Sequence, residues 1–446
     1  MARGWVRHPL GRGFDPLAVH AALVGNATDS VLLDGGADEW SYVARGTRWV
    51  APEPVLPALR ERLAARAVAA TGREEDAPRF HGGLVGWLAY ELRGETTGVA
   101  VPERDGHPLA AFLEVDRLVA VHGRTGQAEL HALGDAWDGE LRRWRDDVTR
   151  RLREPAVVAR AADPPPRPGA WRDGARRYLA GIAAAQEAIR EGEAYQLCLT
   201  TSVVSELTPA SPRPDPVELH RRLRETSPSH HGALLRIGAV DLISASPERF
   251  LAIRPDGRIQ TSPIKGTRPR DADPVADSAL AAELAASEKE RAENLMIVDL
   301  MRNDLARVCR PGSVEVSRLL QVEGYAQVHQ LVSTVRGRLA ADRDAIDAVA
   351  ALFPAGSMTG APKRRATEIL AGLEGAPRGL YAGAFGWFGA DGDVELAMTI
   401  RSIVVDDDRI TVGTGGGITA LSDPVAELEE TRVKAAPLLA TLGIRP

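Results

Sequence analysis

Apolar and polar positions along this chain follow two rhythms, one of period two and one near 3.6 residues, and their boundaries map its elements. Val31-Leu32-Leu33 is apolar throughout and closes on Asp34-Gly35-Gly36, which predicts a buried strand ending in a turn; a second strand follows over 40–44. Residues 56–70 have helical spacing that ends near Thr71-Gly72, and the glycine-punctuated run 80–88 predicts a further strand. An arginine-rich amphipathic helix is expected over 136–154, so the first 155 residues read as mixed α/β. The run Asp163-Pro164-Pro165-Pro166-Arg167-Pro168-Gly169 then interrupts every periodicity. A stiff, polyproline-like connector is expected there, dividing the chain into 1–155, a linker over 156–170, and 171–446.

Past the connector, 171–191 predicts one helix with Tyr178, Ile182, Ala185 and Ile189 on its apolar face, and 194–200 a strand. Strands are expected over 232–236, 241–245, 249–253 and 258–262, and helices over 287–305 and 345–352. The last quarter returns to strands over 383–389, 394–401 and 409–413, and a final helix opens at Asp423-Pro424, an N-cap followed by a first-turn proline. No repeat of solenoid period is present.

Composition narrows the class. At 446 residues, with 44% apolar and 26% charged positions, the chain is an ordinary globular one. A net charge of −6 and a pI near 6.0 argue against a nucleic-acid partner, which calls for a basic face. Two cysteines, Cys198 and Cys309, exclude a disulfide framework and fit a reducing compartment. With neither a signal peptide nor a long apolar span, a cytoplasmic protein with no membrane association is expected.

Lysine usage singles out one stretch. Only four of the 55 basic residues are lysines: Lys265, Lys289, Lys363 and Lys434. Arginine stays protonated, whereas a buried lysine can serve as a neutral amine, hence as a nucleophile or base. Lys265 lies in Thr261-Ser262-Pro263-Ile264-Lys265-Gly266-Thr267, a turn composition that lets backbone approach a ligand; a solvated loop lysine is the plainer reading. Lys289, at the start of its helix, reads as solvent-facing.

Several carboxylates have two readings. Ser287 and Glu290 form a capping-box pattern, and Glu293, Ile297, Leu300 and Asp304 then share one helical stripe. On that stripe Glu293 must meet either an arginine or a metal. Glu427, Glu430 and Lys434 fall at i, i+3 and i+7 of the last helix, a solvated face or half of a Mg2+ site. Glu248, beside Arg249, reads as a salt-bridged surface turn, and His329 as either a hydrogen-bonded core residue or a catalyst. Gly413-Thr414-Gly415-Gly416-Gly417-Ile418 and the run from Gly356 to Lys363 both lack a P-loop ending; the first reads as a close backbone approach, the second as a loop into a helix with Pro362 in its first turn, and a tight turn is the plainer reading of each. No serine triad or H-E-x-x-H spacing occurs.

In combination and in this order, these stretches resemble the chorismate-utilising enzymes, in particular component I of the aminodeoxychorismate synthases. The matching runs are Ser246-Pro247-Glu248-Arg249-Phe250, Pro263-Ile264-Lys265-Gly266-Thr267, residues 291–305, Val328-His329-Gln330-Leu331-Val332-Ser333, Gly356 to Lys363, Thr399-Ile400-Arg401-Ser402, Gly413 to Ile418, and Glu427 to Lys434. The match spans roughly 175–440 and is looser over the first third. It implies an α+β fold of two large antiparallel-rich sheets packed on each other with helices outside, the N-terminal third interleaved with the rest.

The resemblance also implies roles. Glu293 and Glu430 would hold Mg2+ with Glu427 close by, and the ion would chelate the ring carboxylate of chorismate. Tyr381, Arg401, Gly415, Gly416 and Gly417 would grip the enolpyruvyl carboxylate, while Gly266, Thr267 and Thr359 line the pocket. His329 would orient the leaving-group side and Lys434 would balance the acids. Lys265 would add to the ring while Glu248 donates a proton to the departing hydroxyl, and ammonia would complete the exchange to 4-amino-4-deoxychorismate, a precursor of p-aminobenzoate. Anthranilate synthases are implied to carry alanine at position 265, and the water-activating isochorismate and salicylate synthases a lysine where this chain has Gln196. A separate glutamine amidotransferase subunit would supply the ammonia. The Leu32-Leu33-Asp34-Gly35 stretch lacks the family's serine, which puts tryptophan binding in question. Sister activities making anthranilate or 2-amino-2-deoxyisochorismate, and an idle glutaminase-binding homologue, are the competing expectations.

Overall fold

The computed structural model describes residues 4–69, 76–102, 106–153, 164–325 and 327–445. Among these, twelve strands form one antiparallel sheet and ten form a second. Each sheet draws strands from both sides of the proline-rich run. The first pairs Ser30–Asp34 with His231–Ile237, and the second pairs Gly83–Leu88 with Ala384–Gly389.

The period-two rule explains the layering. Along Ser30–Asp34, Val31 and Leu33 point one way and join Tyr42, Trp87, Leu113 and Phe385 in the core between the sheets. Leu32 points the other way and packs with Leu17, Leu219, Leu438 and Leu439 from the helices covering that sheet. A strand buried on both faces must be apolar at every position, as this one is. The outer face of the second sheet is covered in the same manner by Ile297 and Val298 from the Glu288–Ala306 helix and by Val349 and Leu352 from Ala345–Leu352.

Several boundaries depart from the sequence pattern. The helix expected over 56–70 is Val55–Ala64; beyond it, the Val68 N–H donates to the Ala390 carbonyl, drawing the chain onto a sheet turn instead of extending the helix. The expected stop at Thr71-Gly72 lies outside the described residues. The helix expected from Trp171 begins at Ala175, because Ala170–Trp171 pairs as a short strand with Val203 and Val204. The 394–401 strand ends at Met398, and Arg401 takes a left-handed φ of 50°. In the described part of the connector, the Arg167 N–H donates to the Gly443 carbonyl, and its guanidinium donates to the Ser211 carbonyl and hydroxyl, so this part is pinned to the body. No helix among the described residues is long and apolar enough to cross a membrane.

Candidate active site

A cavity of about 510 Å3 collects most of the singled-out residues. Lys265 enters it from the strand Ile264–Pro269, so the proline–glycine stretch is an extended edge rather than a loop, bent at Gly266 (φ 83°). Its Nζ lies 3.6 Å from Glu293 Oε2. Opposite lies Glu248, which is buried, contrary to the expected surface turn: Arg249 points to the other face and pairs with Glu395 at 2.5 Å. The Ser357 hydroxyl donates to Glu248 Oε1 at 2.8 Å. Burial pushes the Glu248 carboxyl up to about 7, against the downward pull of the Ser357 hydrogen bond and the Lys265 charge. A carboxyl with that balance carries a proton near neutrality.

The acids of two helices line one wall. Ser287 caps the Glu288–Ala306 helix by accepting from the Glu290 N–H at 3.4 Å, and one turn further Glu293 faces the cavity. The last helix, Pro424–Leu442, opens on Asp423 and turns Glu427 and Glu430 to the same space. Lysines interleave with these acids. Lys289 Nζ lies 3.1 Å from Glu427 Oε1 and 4.0 Å from Glu293 Oε1, and Lys434 Nζ lies 2.8 Å from Glu430 Oε1. Burial raises the Glu293 carboxyl although Lys265 and Lys289 oppose it; at Glu430 burial also pushes up, but Lys434 beside it prevails and the group is lowered. Glu293 Oε1 is buried with no hydrogen-bond partner among the described residues, the kind of oxygen a hard cation would satisfy, and an all-carboxylate donor set suits Mg2+. Among the described residues, no three acids, histidines or cysteines already converge as a metal cage.

The glycine run proves to be strand rather than turn. Arg409–Ile418 pairs along its whole length with Gln196–Glu206, but with Ser402–Val405 only from Ile410 to Val412. From Gly413 onward one edge therefore carries no strand, and the Gly415 carbonyl on that edge accepts from Lys434 Nζ at 3.1 Å. Side chains here would intrude on their neighbours. A Cβ at Gly413 would lie 2.1 Å from Tyr381 Cγ, and one at Gly417 would lie 3.3 Å from Lys265 Nζ. Tyr381 and Arg401 close this end, and among the described residues no carboxylate forms an ion pair with the Arg401 guanidinium.

Gly266, Thr267, Gly416 and Lys434 also line the cavity, but two expected site residues do not. Strand alternation puts Val328 and Gln330 of Val328–Arg338 on the cavity side and turns His329 outward, where its Nε2 lies 2.9 Å from Asp277 Oδ1 on the Pro274–Ala286 helix. Thr359 is fully buried and donates to the Ala355 carbonyl at 3.0 Å.

With that geometry in view, comparison with known proteins is decisive. The family model described as chorismate binding enzyme matches residues 29–440. This chain belongs to the chorismate-binding enzymes. Among its relatives, an aminodeoxychorismate synthase of Streptomyces pristinaespiralis is 43% identical over 88% of the chain and 54% of its own length. Anthranilate synthase component 1 of Streptomyces coelicolor is 41% identical over 93% of the chain and 83% of its own length. The chain thus spans about half the length of the aminodeoxychorismate synthases it matches first. Among solved structures, anthranilate synthase component I from Streptococcus pneumoniae superposes with a TM-score of 0.78 at 28% identity, covering 94% of this chain and 96% of that one.

Sequence reasoning missed two residues of this cavity. Lys289, expected to face solvent, is half-exposed, but its ammonium also reaches Glu427 and Glu293; its i, i+4 spacing to Glu293 was the signal. Ser357 had no signal beyond its motif, because its partner Glu248 is distant in the chain. In the N-terminal third, Asp34 is buried, accepts from the Ser41 hydroxyl at 3.2 Å and pairs with Arg224 at 2.9 Å, while at Gly35, the position that departs from the family pattern, the backbone N–H donates to the Ser41 hydroxyl at 3.1 Å.

Proposed function

We propose that this chorismate-binding enzyme replaces the C4 hydroxyl of chorismate with an amino group, giving 4-amino-4-deoxychorismate. The observation that carries the reading is the facing pair of Lys265 and Glu248 in one cavity, a primary amine opposite a carboxyl that burial pushes up to about 7. Arg401, which forms no ion pair with a carboxylate among the described residues, and the open glycine edge suit the enolpyruvyl carboxylate. Mg2+, held by Glu293 and Glu430 with Glu427 close by, would chelate the ring carboxylate and draw charge from the ring.

Lys265 Nζ bonds to ring C2 while the C4–O bond breaks. Glu248 protonates the departing oxygen, which leaves as water. Glu248 regains its proton from Nζ, which the attack has made an ammonium. Ammonia then bonds to C4 as the C2–Nζ bond breaks, and the proton it sheds goes to the departing lysine amine. One hard substitution becomes two easier ones. A partner glutamine amidotransferase is the proposed ammonia source, and free ammonium would replace it in vitro.

Incubation with chorismate, Mg2+ and ammonium, followed by mass and fluorescence analysis, tests the reading. A product that yields p-aminobenzoate only after a lyase is added supports it. Anthranilate formed directly would instead favour the second reading, which rests on the 41% identity to an anthranilate synthase over 83% of that protein.

A further inference from the structure

Glu248 is held on one side only. Its Oε1 accepts from the Ser357 hydroxyl at 2.8 Å, and among the described residues no hydrogen bond reaches Oε2. Both side chains are withdrawn from solvent. Ser357 is itself fixed from two directions. Its short helical turn Gly356–Met358 packs so closely on the Glu288–Ala306 helix that a Cβ at Gly356 would lie 2.4 Å from Leu300 Cδ2. On the other side, the Met358 carbonyl accepts from Arg378 Nη1 at 2.7 Å, and Arg378 is anchored in turn to Glu374 at 2.7 Å and to the Cys198 carbonyl at 2.9 Å. A serine on so rigid a mount cannot follow a wandering carboxyl; the carboxyl must come to it.

We propose that Ser357 is the positioning residue for the acid: its hydroxyl claims Oε1, so the proton transferred to the departing C4 oxygen is carried on Oε2. The inference rests on the reading of Glu248 as general acid. When the Oε2–H bond breaks and water leaves, the remaining carboxylate keeps the Ser357 hydrogen bond, which steadies the anion until Nζ returns the proton. The hydroxyl donates to the charged form, so it holds the acid lower than burial alone would. The charged group facing Glu248 is Lys265 on the neighbouring strand. Nearby Glu395 is engaged by Arg79 and Arg249, and Arg378 by Glu374.

The test is the pH profile of the ammonium-dependent reaction of the whole chain, with the free ammonia concentration held constant across pH. Activity requires protonated Glu248, so it declines as pH rises through that group. In Ser357→Ala the declining limb of kcat/KM should move upward by about one pH unit, the equivalent of one lost hydrogen bond. The value of kcat should fall by about tenfold while KM for chorismate stays within about twofold. Ser357→Thr, which keeps the hydroxyl, should restore both limb and rate. A limb that stays in place in Ser357→Ala, or a loss confined to KM, overturns the inference. Glu248→Gln separates the two levels: if the limb persists there, Glu248 is not the acid and both readings fall. If it vanishes there yet is unmoved in Ser357→Ala, only the role of Ser357 falls.

Discussion

Lys363 Nζ lies 2.7 Å from Asp304 Oδ2, and the pair joins the helix that carries Glu293 to the helix that follows the Ser357 turn. The ammonium also donates to the Leu352 carbonyl at 2.5 Å, and both charged groups are buried. Removing one partner strands the other charge. Lys363→Met should therefore destabilise the fold by about 3–5 kcal/mol, and Lys363→Met with Asp304→Asn should recover part of that loss. Urea unfolding of the single and double variants reads both outcomes.

Lys265 is the residue on which the proposed chemistry turns. Lys265→Ala removes the nucleophile and leaves the Arg401 and glycine-edge contacts intact. Amination with saturating ammonium should drop by at least about a hundredfold, while chorismate still binds. Single-turnover assays with chorismate and titration calorimetry measure the two quantities, and unimpaired amination would remove Lys265 from the mechanism.

The rate should also report the buried acid. With Glu248 pushed up to about 7, the protonated form it needs as a donor is present below that pH and lost above it. At constant free ammonia, kcat/KM should fall on the alkaline side of about pH 7, and Glu248→Gln should lose about a hundredfold or more in rate together with that limb.

Acid stability has a separate origin. His20 is wholly buried, among the described residues both its ring nitrogens lack partners, and burial together with the His220 and Arg236 charges lowers it from 6.5 to about 4. The unfolded chain takes up that proton first, so this contribution is complete above about pH 6.5 and is lost as pH falls toward 4, amounting to about 3 kcal/mol. Asp34, lowered to about 2, holds its contribution until the pH drops below 3.8. Denaturant titrations at pH 7 and pH 4.5 should show the first loss, and His20→Leu should flatten it.

The glycine edge admits a steric test. In Gly417→Ala the new methyl would lie 2.1 Å from Gln196 Nε2 and 3.3 Å from Lys265 Nζ. Flexible side-chain ends can yield, so the melting temperature should change by only about 2–4 °C, whereas kcat should fall by about tenfold or more as Lys265 is displaced. Thermal scans and steady-state kinetics distinguish these effects.

Local chemistry made some of this legible in the sequence. The Val31-Leu32-Leu33 strand and the Ser287 and Asp423 caps follow from neighbours within a few residues. The same aspartate–proline opening that marks the last helix also begins the helices at Pro16, Pro216 and Pro274, where each aspartate accepts from a backbone N–H of the first turn. Those three carry the same local signal. What could not be read was set by distant partners. Glu248 is buried because the Ser357 turn and Lys265 close over it, and His329 turns outward because the Pro274–Ala286 helix offers Asp277 there. The glycine run is a strand because Gln196–Glu206 pairs with it from more than two hundred positions away.

The two sheets, each built from strands on both sides of the proline-rich run, have a consequence for how this chain can be divided. A cut at the connector would leave each piece holding parts of both sheets, with ladder edges bared where Ser30–Asp34 met His231–Ile237 and where Gly83–Leu88 met Ala384–Gly389. Neither piece would be a module that evolution or an engineer could lend to another protein; they would recover a fold only by finding each other, as complementary halves of one enzyme.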